Sequence, residues 1–139
     1  AGMGTFTYPM AARGADVYAA DVDVYTGAVA WPVSNPGSAV GHVTPESRNL
    51  YKKPVPSAEL SGFDAIVFDP PRAGAKAQAG EIAASGVGTI VAVSCNPASF
   101  VTDCAPLIAA GYVFESLTVV DQFLWTAHVE LVGVFRRSL

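Results

Sequence analysis

The sequence predicts an α/β protein: parallel strands alternating with helices, closed by one reversed strand. Three observations carry this expectation. The apolar runs Ala65–Phe68 and Thr89–Ser94 stop at Asp69-Pro70-Pro71 and Asn96-Pro97, as strands buried on both faces of a parallel sheet do. Between them, residues 75–85 are rich in alanine and helix formers. Two further strand candidates, residues 113–120 and 128–136, are joined by only seven residues, too few for a helical crossover, so they should pair antiparallel.

In chain order, Ala1-Gly2-Met3-Gly4-Thr5-Phe6 is glycine-rich and leads into a helix over residues 7–13. A short apolar strand follows over residues 16–20 and ends at Asp21. Residues 31–45 read as poorly organised, since Pro32, Pro36 and Gly37 break any helix there. The helix over residues 75–85 closes on Gly86, suited to a left-handed cap. A second helix should run over residues 97–110, with Phe100, Val101, Cys104, Leu107 and Ile108 on one apolar face and a kink at Pro106.

At 139 residues, with 51% hydrophobic and 14% charged residues, the chain is expected to form one domain with a sizeable core. It has no apolar run long enough for a membrane helix and no signal-peptide layout, so a cytoplasmic location is expected. Its two cysteines, Cys95 and Cys104, lack Cys-x-x-Cys spacing and cannot build a cysteine-based metal site by themselves. No metal is expected. The net charge of −4 argues against a free-standing nucleic-acid binder, so an RNA partner would be gripped mainly by other segments.

Four places carry chemistry. Glycines in the opening loop let a backbone approach a ligand closely, although the third glycine of a dinucleotide fingerprint is missing. Asp21 ends a strand, where a carboxylate either bonds ribose hydroxyls or merely caps a turn; Asp23 is the competing carboxylate. Asp69-Pro70-Pro71-Arg72 sits at a carboxyl strand end, either as a ligand loop stiffened by prolines or as an ordinary turn. Arg72 is either a phosphate or carboxylate partner or a solvated charge.

Ser94-Cys95-Asn96-Pro97 is the strongest site. Asn96 suits the helix cap and Pro97 the first helical position, and a thiol at a helix N-terminus has its thiolate stabilised. Packing in an apolar face suits Cys104 better than Cys95. Glu130, in an otherwise apolar strand, is either on an exposed face or a carboxylate made basic by burial. His128 reads as structural or functional, and His42 as a surface residue. Phe123 and Trp125 either stack on a base or cap the core.

Together, Gly2-Met3-Gly4-Thr5-Phe6, Asp69-Pro70-Pro71-Arg72-Ala73-Gly74, Ser94-Cys95-Asn96-Pro97 and Thr126-Ala127-His128-Val129-Glu130 resemble the bacterial RNA (uracil-C5) methyltransferase family, over residues 1–30 and 46–137. The family acts on ribosomal and transfer RNA. The resemblance implies a Rossmann-like class I methyltransferase fold with a C-terminal antiparallel hairpin and S-adenosylmethionine over the strand ends. It implies cofactor contacts from Gly2, Gly4, Thr5, Asp21, Asn49 and Asp69, and substrate contacts from Arg72 and His128. Cys95 would be the nucleophile and Glu130 the proton acceptor.

The chain departs from the family's pattern in three ways. It opens inside the first motif, so the central strand expected before Ala1 is absent and the chain reads as a fragment, expected to bind cofactor weakly or not at all by itself. Further N-terminal RNA-binding segments are absent too. Asn49 stands where an acidic residue is often seen. Two rival readings remain. An amino-group methyltransferase would place a stacking side chain after the two prolines, where this chain has Arg72, and would leave Cys95 without a role. A catalytically inactive RNA- or partner-binding module would keep the fold without covalent trapping.

Overall fold

A computed structural model describes residues 4–22, 41–121 and 124–137. The chain divides into two compact units, Ala1–Lys53 and Pro54–Leu139.

The first unit holds helix α1 (Thr7–Ala12) and strands β1 (Val17–Asp21) and β2 (Val43–Ser47). The two strands run parallel, from Val17 opposite Val43 to Asp21 opposite Ser47. Gly4 is buried at φ 87° before α1, and a Cβ there would run into the Tyr8 ring. That is why glycine stands at this turn. The expectation of an unorganised stretch through Pro45 fails for residues 43–45, which belong to β2. Pro45 lacks an N–H to give, and a strand at a sheet edge tolerates that loss. Residues 31–40 of that stretch, with Pro32, Pro36 and Gly37, lie outside the described residues, as do Gly2, Asp23 and Phe123.

The second unit contains α2 (Ser57–Leu60), β3 (Ala65–Phe68), α3 (Lys76–Ser85), β4 (Thr89–Ser94), α4 (Pro97–Ala109), β5 (Tyr112–Val120) and β6 (Glu130–Arg137). Its four strands are ordered β3-β4-β6-β5. β3 and β4 are parallel, whereas β6 is antiparallel to both of its neighbours. The reversed strand expected from the short connection is therefore present, and it is inserted between β4 and β5.

Burial explains the assembly. Ile82 of α3, Ile90 of β4, Leu107 of α4 and Phe135 of β6 are almost completely removed from water and form the centre of the core. Gly133 lets α4 and β5 close on β6: a Cβ there would come within 2.6 Å of the Phe100 ring and 3.1 Å of Phe114. Gly86 ends α3 in the left-handed conformation at φ 76°. α4 starts with Asn96 as its side-chain cap and Pro97 behind it, and continues through Pro106.

One expectation about α4 is corrected. Phe100, Cys104 and Leu107 are buried, but Val101 is 69% and Ile108 51% exposed. The buried stripe runs instead through Phe100, Asp103, Cys104 and Leu107, spaced by three and four residues as one helical face requires. β5 is an edge strand, buried only at Tyr112.

Candidate active site

Cys95 follows the last residue of β4 directly and is half-buried. β4 pairs with β6 from Thr89 opposite Arg136 to Ser94 opposite Leu131. The next pair in that register is Cys95 and Glu130, and Glu130 is the half-buried first residue of β6. Reversal of β6 thus delivers the thiol and the carboxylate to the same end of two neighbouring strands. The other cysteine is in a different chemical setting. Cys104 is buried in α4, and burial, with the adjacent Asp103 carboxylate adding to it, pushes its thiol up to about 12. So it stays protonated and unreactive at neutral pH.

A small polar network fixes the turn after Cys95. Asn96 Oδ1 accepts from the Ala98 amide at 3.1 Å, capping α4. Its Nδ2 donates to the Arg72 carbonyl at 3.0 Å and so ties the loop after β3 to the turn after β4. The buried Ser94 hydroxyl donates to the Asn96 carbonyl and accepts from the Asn96 amide, and Ser99 donates to the same carbonyl.

The loop after β3 carries Asp69 and Arg72, both exposed. Arg72 Nη1 lies 3.3 Å from His128 Nδ1. A guanidinium only donates, so this nitrogen of His128 accepts. His128 in turn takes its place through a bond from its amide to Thr126 Oγ1. Two substrate-binding candidates 56 residues apart in the sequence thus meet, two residues before Glu130. Trp125 is fully exposed at φ 64°, so it does not cap the core.

The loop also has an anchor the sequence reading missed. Asp103 is only 3% exposed, and its Oδ2 accepts from the Ala75 amide at 2.8 Å. Burial raises its pKa above the usual carboxylate value, opposed by that hydrogen bond. The signal was present in its spacing from Phe100 and Leu107.

In the first unit, Asp21 closes β1, with Oδ1 accepting from the Val22 amide at 2.6 Å. Gly4 accepts from the Tyr8 amide at 3.0 Å, and Thr5 beside it is exposed. Asn49 Oδ1 accepts from the amides of Tyr51 and Lys52, which gives its side chain a turn-forming role. An acidic residue does stand nearby: Glu46 of β2 accepts from the Tyr18 hydroxyl and pairs with Arg48 at 2.8 Å. In each unit by itself a carboxylate stands at the end of a parallel strand, Asp21 closing β1 in the first and Asp69 following β3 in the second, a position from which it can accept from a nucleoside's hydroxyls. Among the described residues no cluster of His, Cys, Asp or Glu is placed to hold a metal ion, and no helix is long and apolar enough to cross a membrane.

Comparison with known proteins decides the family. The family model of tRNA (uracil-5-)-methyltransferases matches residues 57–138. The chain belongs to this family. A protein of Caulobacter vibrioides described as an uncharacterized RNA methyltransferase is 44% identical over 136 residues, covering 98% of this chain and 32% of the relative. A 23S rRNA (uracil(1939)-C(5))-methyltransferase of Pseudomonas fluorescens is 35% identical, covering 99% of this chain and 30% of that protein. The chain thus spans about a third of the length of the curated relatives it matches.

Among solved structures, the tRNA (uracil-54, C5)-methyltransferase of Pyrococcus abyssi, in complex with S-adenosyl-L-homocysteine, superposes with a TM-score of 0.78 at 31% identity, over 96% of this chain and 32% of that one. A 16S rRNA (adenine(1408)-N(1))-methyltransferase of Catenulisporales acidiphilia shares the fold alone, with a TM-score of 0.54 at 13% identity. The family member described above is therefore an α/β protein of the Rossmann-like methyltransferase fold, closed by an antiparallel hairpin.

Proposed function

We propose that this chain is the catalytic part of an enzyme that transfers a methyl group from S-adenosylmethionine to C5 of a uridine in ribosomal or transfer RNA. The observation that carries the reading is the β4–β6 register, whose next pair is Cys95 and Glu130, beside the Arg72–His128 contact. Family membership and the likeness to a uracil-54 methyltransferase with S-adenosyl-L-homocysteine support the same reaction class and cofactor.

Bound S-adenosylmethionine supplies an electrophilic methyl group on a sulfonium. Uracil C5 is too weak a nucleophile to take it unaided. The Cys95 thiolate adds to C6, forming a C–S bond and moving the ring electrons into an enolate; S-adenosylmethionine, when bound, would supply the methyl group to C5, its methyl–sulfur bond breaking to release S-adenosylhomocysteine. Glu130 then takes the C5 proton, the C5–C6 double bond re-forms, and the Cys95 thiolate leaves. Arg72 and His128 hold the RNA beside Cys95 and Glu130, and Asp69, at the end of β3 in the same unit, is a candidate for the cofactor's polar groups; in the first unit Gly4, Thr5 and Asp21 are the candidates that the resemblance names.

The experiment uses the full-length protein with labelled RNA on a denaturing gel. Glu130→Gln is nearly isosteric but accepts no proton at neutral pH, so addition and methyl transfer proceed and elimination stalls. General-base assistance contributes on the order of 10²–10⁴-fold, so a retarded covalent band accumulates over minutes. The band disappears in the double variant with Cys95→Ala. Turnover of Glu130→Gln at the wild-type rate would remove Glu130 from the mechanism and leave His128 as the next base to test.

A further inference from the structure

We propose that Asp103 is a positioning residue: its carboxylate, on the inner face of α4, fixes the loop that carries Asp69 and Arg72 relative to the turn that carries Cys95. The inference rests on the proposed methyl transfer for its catalytic consequence, but its geometry stands without it.

Three observations meet at this carboxylate. α3 has no cap of its own, because its cap position is Ala75, whose side chain offers no acceptor. Asp103 supplies the acceptor from another helix, at 2.8 Å from the Ala75 amide. Gly74, at φ 82°, lies directly against it: a Cβ there would come within 2.8 and 3.1 Å of the two carboxylate oxygens. Burying a carboxylate is costly, and the neighbours of Asp103 on that face of α4 are Phe100, Cys104 and Leu107, which offer nothing in return. The compensation comes from the loop.

The loop is tied twice to one helix. Asn96, the cap of α4, holds the Arg72 carbonyl, and Asp103, about two turns further along, holds the Ala75 amide. Arg72 lies at one tie and Gly74 at the other, with the turn from Pro71 to Gly74 closed by a 2.8 Å backbone bond. α4 begins two residues after Cys95, so a rigid helix sets the spacing between the thiol and the loop.

The test compares Asp103→Ala, Asp103→Asn, Gly74→Ala and Gln78→Ala in the full-length protein, at a temperature where circular dichroism shows each one folded. Two readouts are taken: the rate of trypsin cleavage after the exposed Arg72, and kcat with KM for methyl transfer. Asp103→Ala should speed cleavage about tenfold, as loss of a buried hydrogen bond implies. It should lower kcat by about 10²-fold, the penalty of a misplaced reacting group. Asp103→Asn keeps an acceptor oxygen and restores most of both. Gly74→Ala breaks the same contact from the loop side, moves both readouts in the same direction, and decides the matter if Asp103→Ala does not fold.

Gln78→Ala removes two buried bonds from α3 to Val55, which touch neither Asp103 nor the loop, and costs stability without moving either readout. Wild-type cleavage and kcat in folded Asp103→Ala or Gly74→Ala would overturn the proposal. So would equal changes in Gln78→Ala. If the wild-type protein itself transfers no methyl group, the functional reading falls, and trypsin cleavage alone still decides the role of Asp103.

Discussion

Asn96 serves two masters, and one substitution can separate them. Its Oδ1 caps α4 and its Nδ2 holds the Arg72 carbonyl. Asn96→Ala removes both. Loss of a helix cap costs about 1 kcal/mol, within a range of about 0.5–2. The bond to Arg72 lies near the surface and adds about 0.5 kcal/mol, the low end for a hydrogen bond. Together, about 1.5 kcal/mol should lower the melting temperature by about 6–12 °C in a unit of this size. Asn96→Asp keeps an equally good cap and loses only the donor to Arg72, so it should melt no more than about 4 °C below wild type. Thermal melts followed by circular dichroism at neutral pH measure both. Two results would refute the reasoning: Asn96→Asp melting as low as Asn96→Ala, or Asn96→Ala melting with the wild type.

The remaining predictions concern the thiols, one glycine and one buried acid. Cys95→Ala in the full-length protein should abolish methyl transfer and Cys104→Ala leave it largely intact; mass spectrometry after brief iodoacetamide treatment should find the label on Cys95 alone, as the burial and protonation of Cys104 require. Gly133→Val should destabilise by about 1–3 kcal/mol, the usual cost of overpacking, because its Cβ meets Phe100 and Phe114; a denaturant midpoint equal to wild type would contradict this. The pKa of Asp103 is raised in the folded protein, so its stabilising share is fully present below its ordinary value of 3.8 and is lost as pH rises through the raised value. Wild type should therefore lose stability relative to Asp103→Asn as pH climbs from that range, read from melting temperatures of the pair; a difference independent of pH refutes the shift.

Strands β3 and β4 were legible in the sequence because continuous apolar runs ended by proline turns have few other solutions in a folded chain. The α4 start was legible because Asn96-Pro97 combines a cap with a residue that fits only the first turn. The helical face was misread because hydrophobicity was given more weight than spacing. Val101 and Ile108 look like core residues and point to water, while Asp103 looks solvated and is buried. A carboxylate enters a core when a backbone amide elsewhere in the fold needs it, and no local window contains Ala75 and Asp103 together. β2 was missed because Pro45 reads as a breaker, yet a parallel edge position does not use every N–H. The approach of Arg72 to His128 spans 56 residues and depends on the strand order, which a sequence pattern does not encode.

The place of β6 in the sheet has a consequence for the order in which the protein assembles. β5 precedes β6 in the chain, yet β6 occupies the slot beside β4, so β5 cannot dock until its successor has been made. On the ribosome, β4 must wait with an open edge for a partner about 40 residues downstream, the kind of long-range pairing that slows folding and invites association with other chains. Glu130 is the first residue of the strand that fills the slot. Closing the sheet and bringing Cys95 and Glu130 to the same strand end are thus a single event.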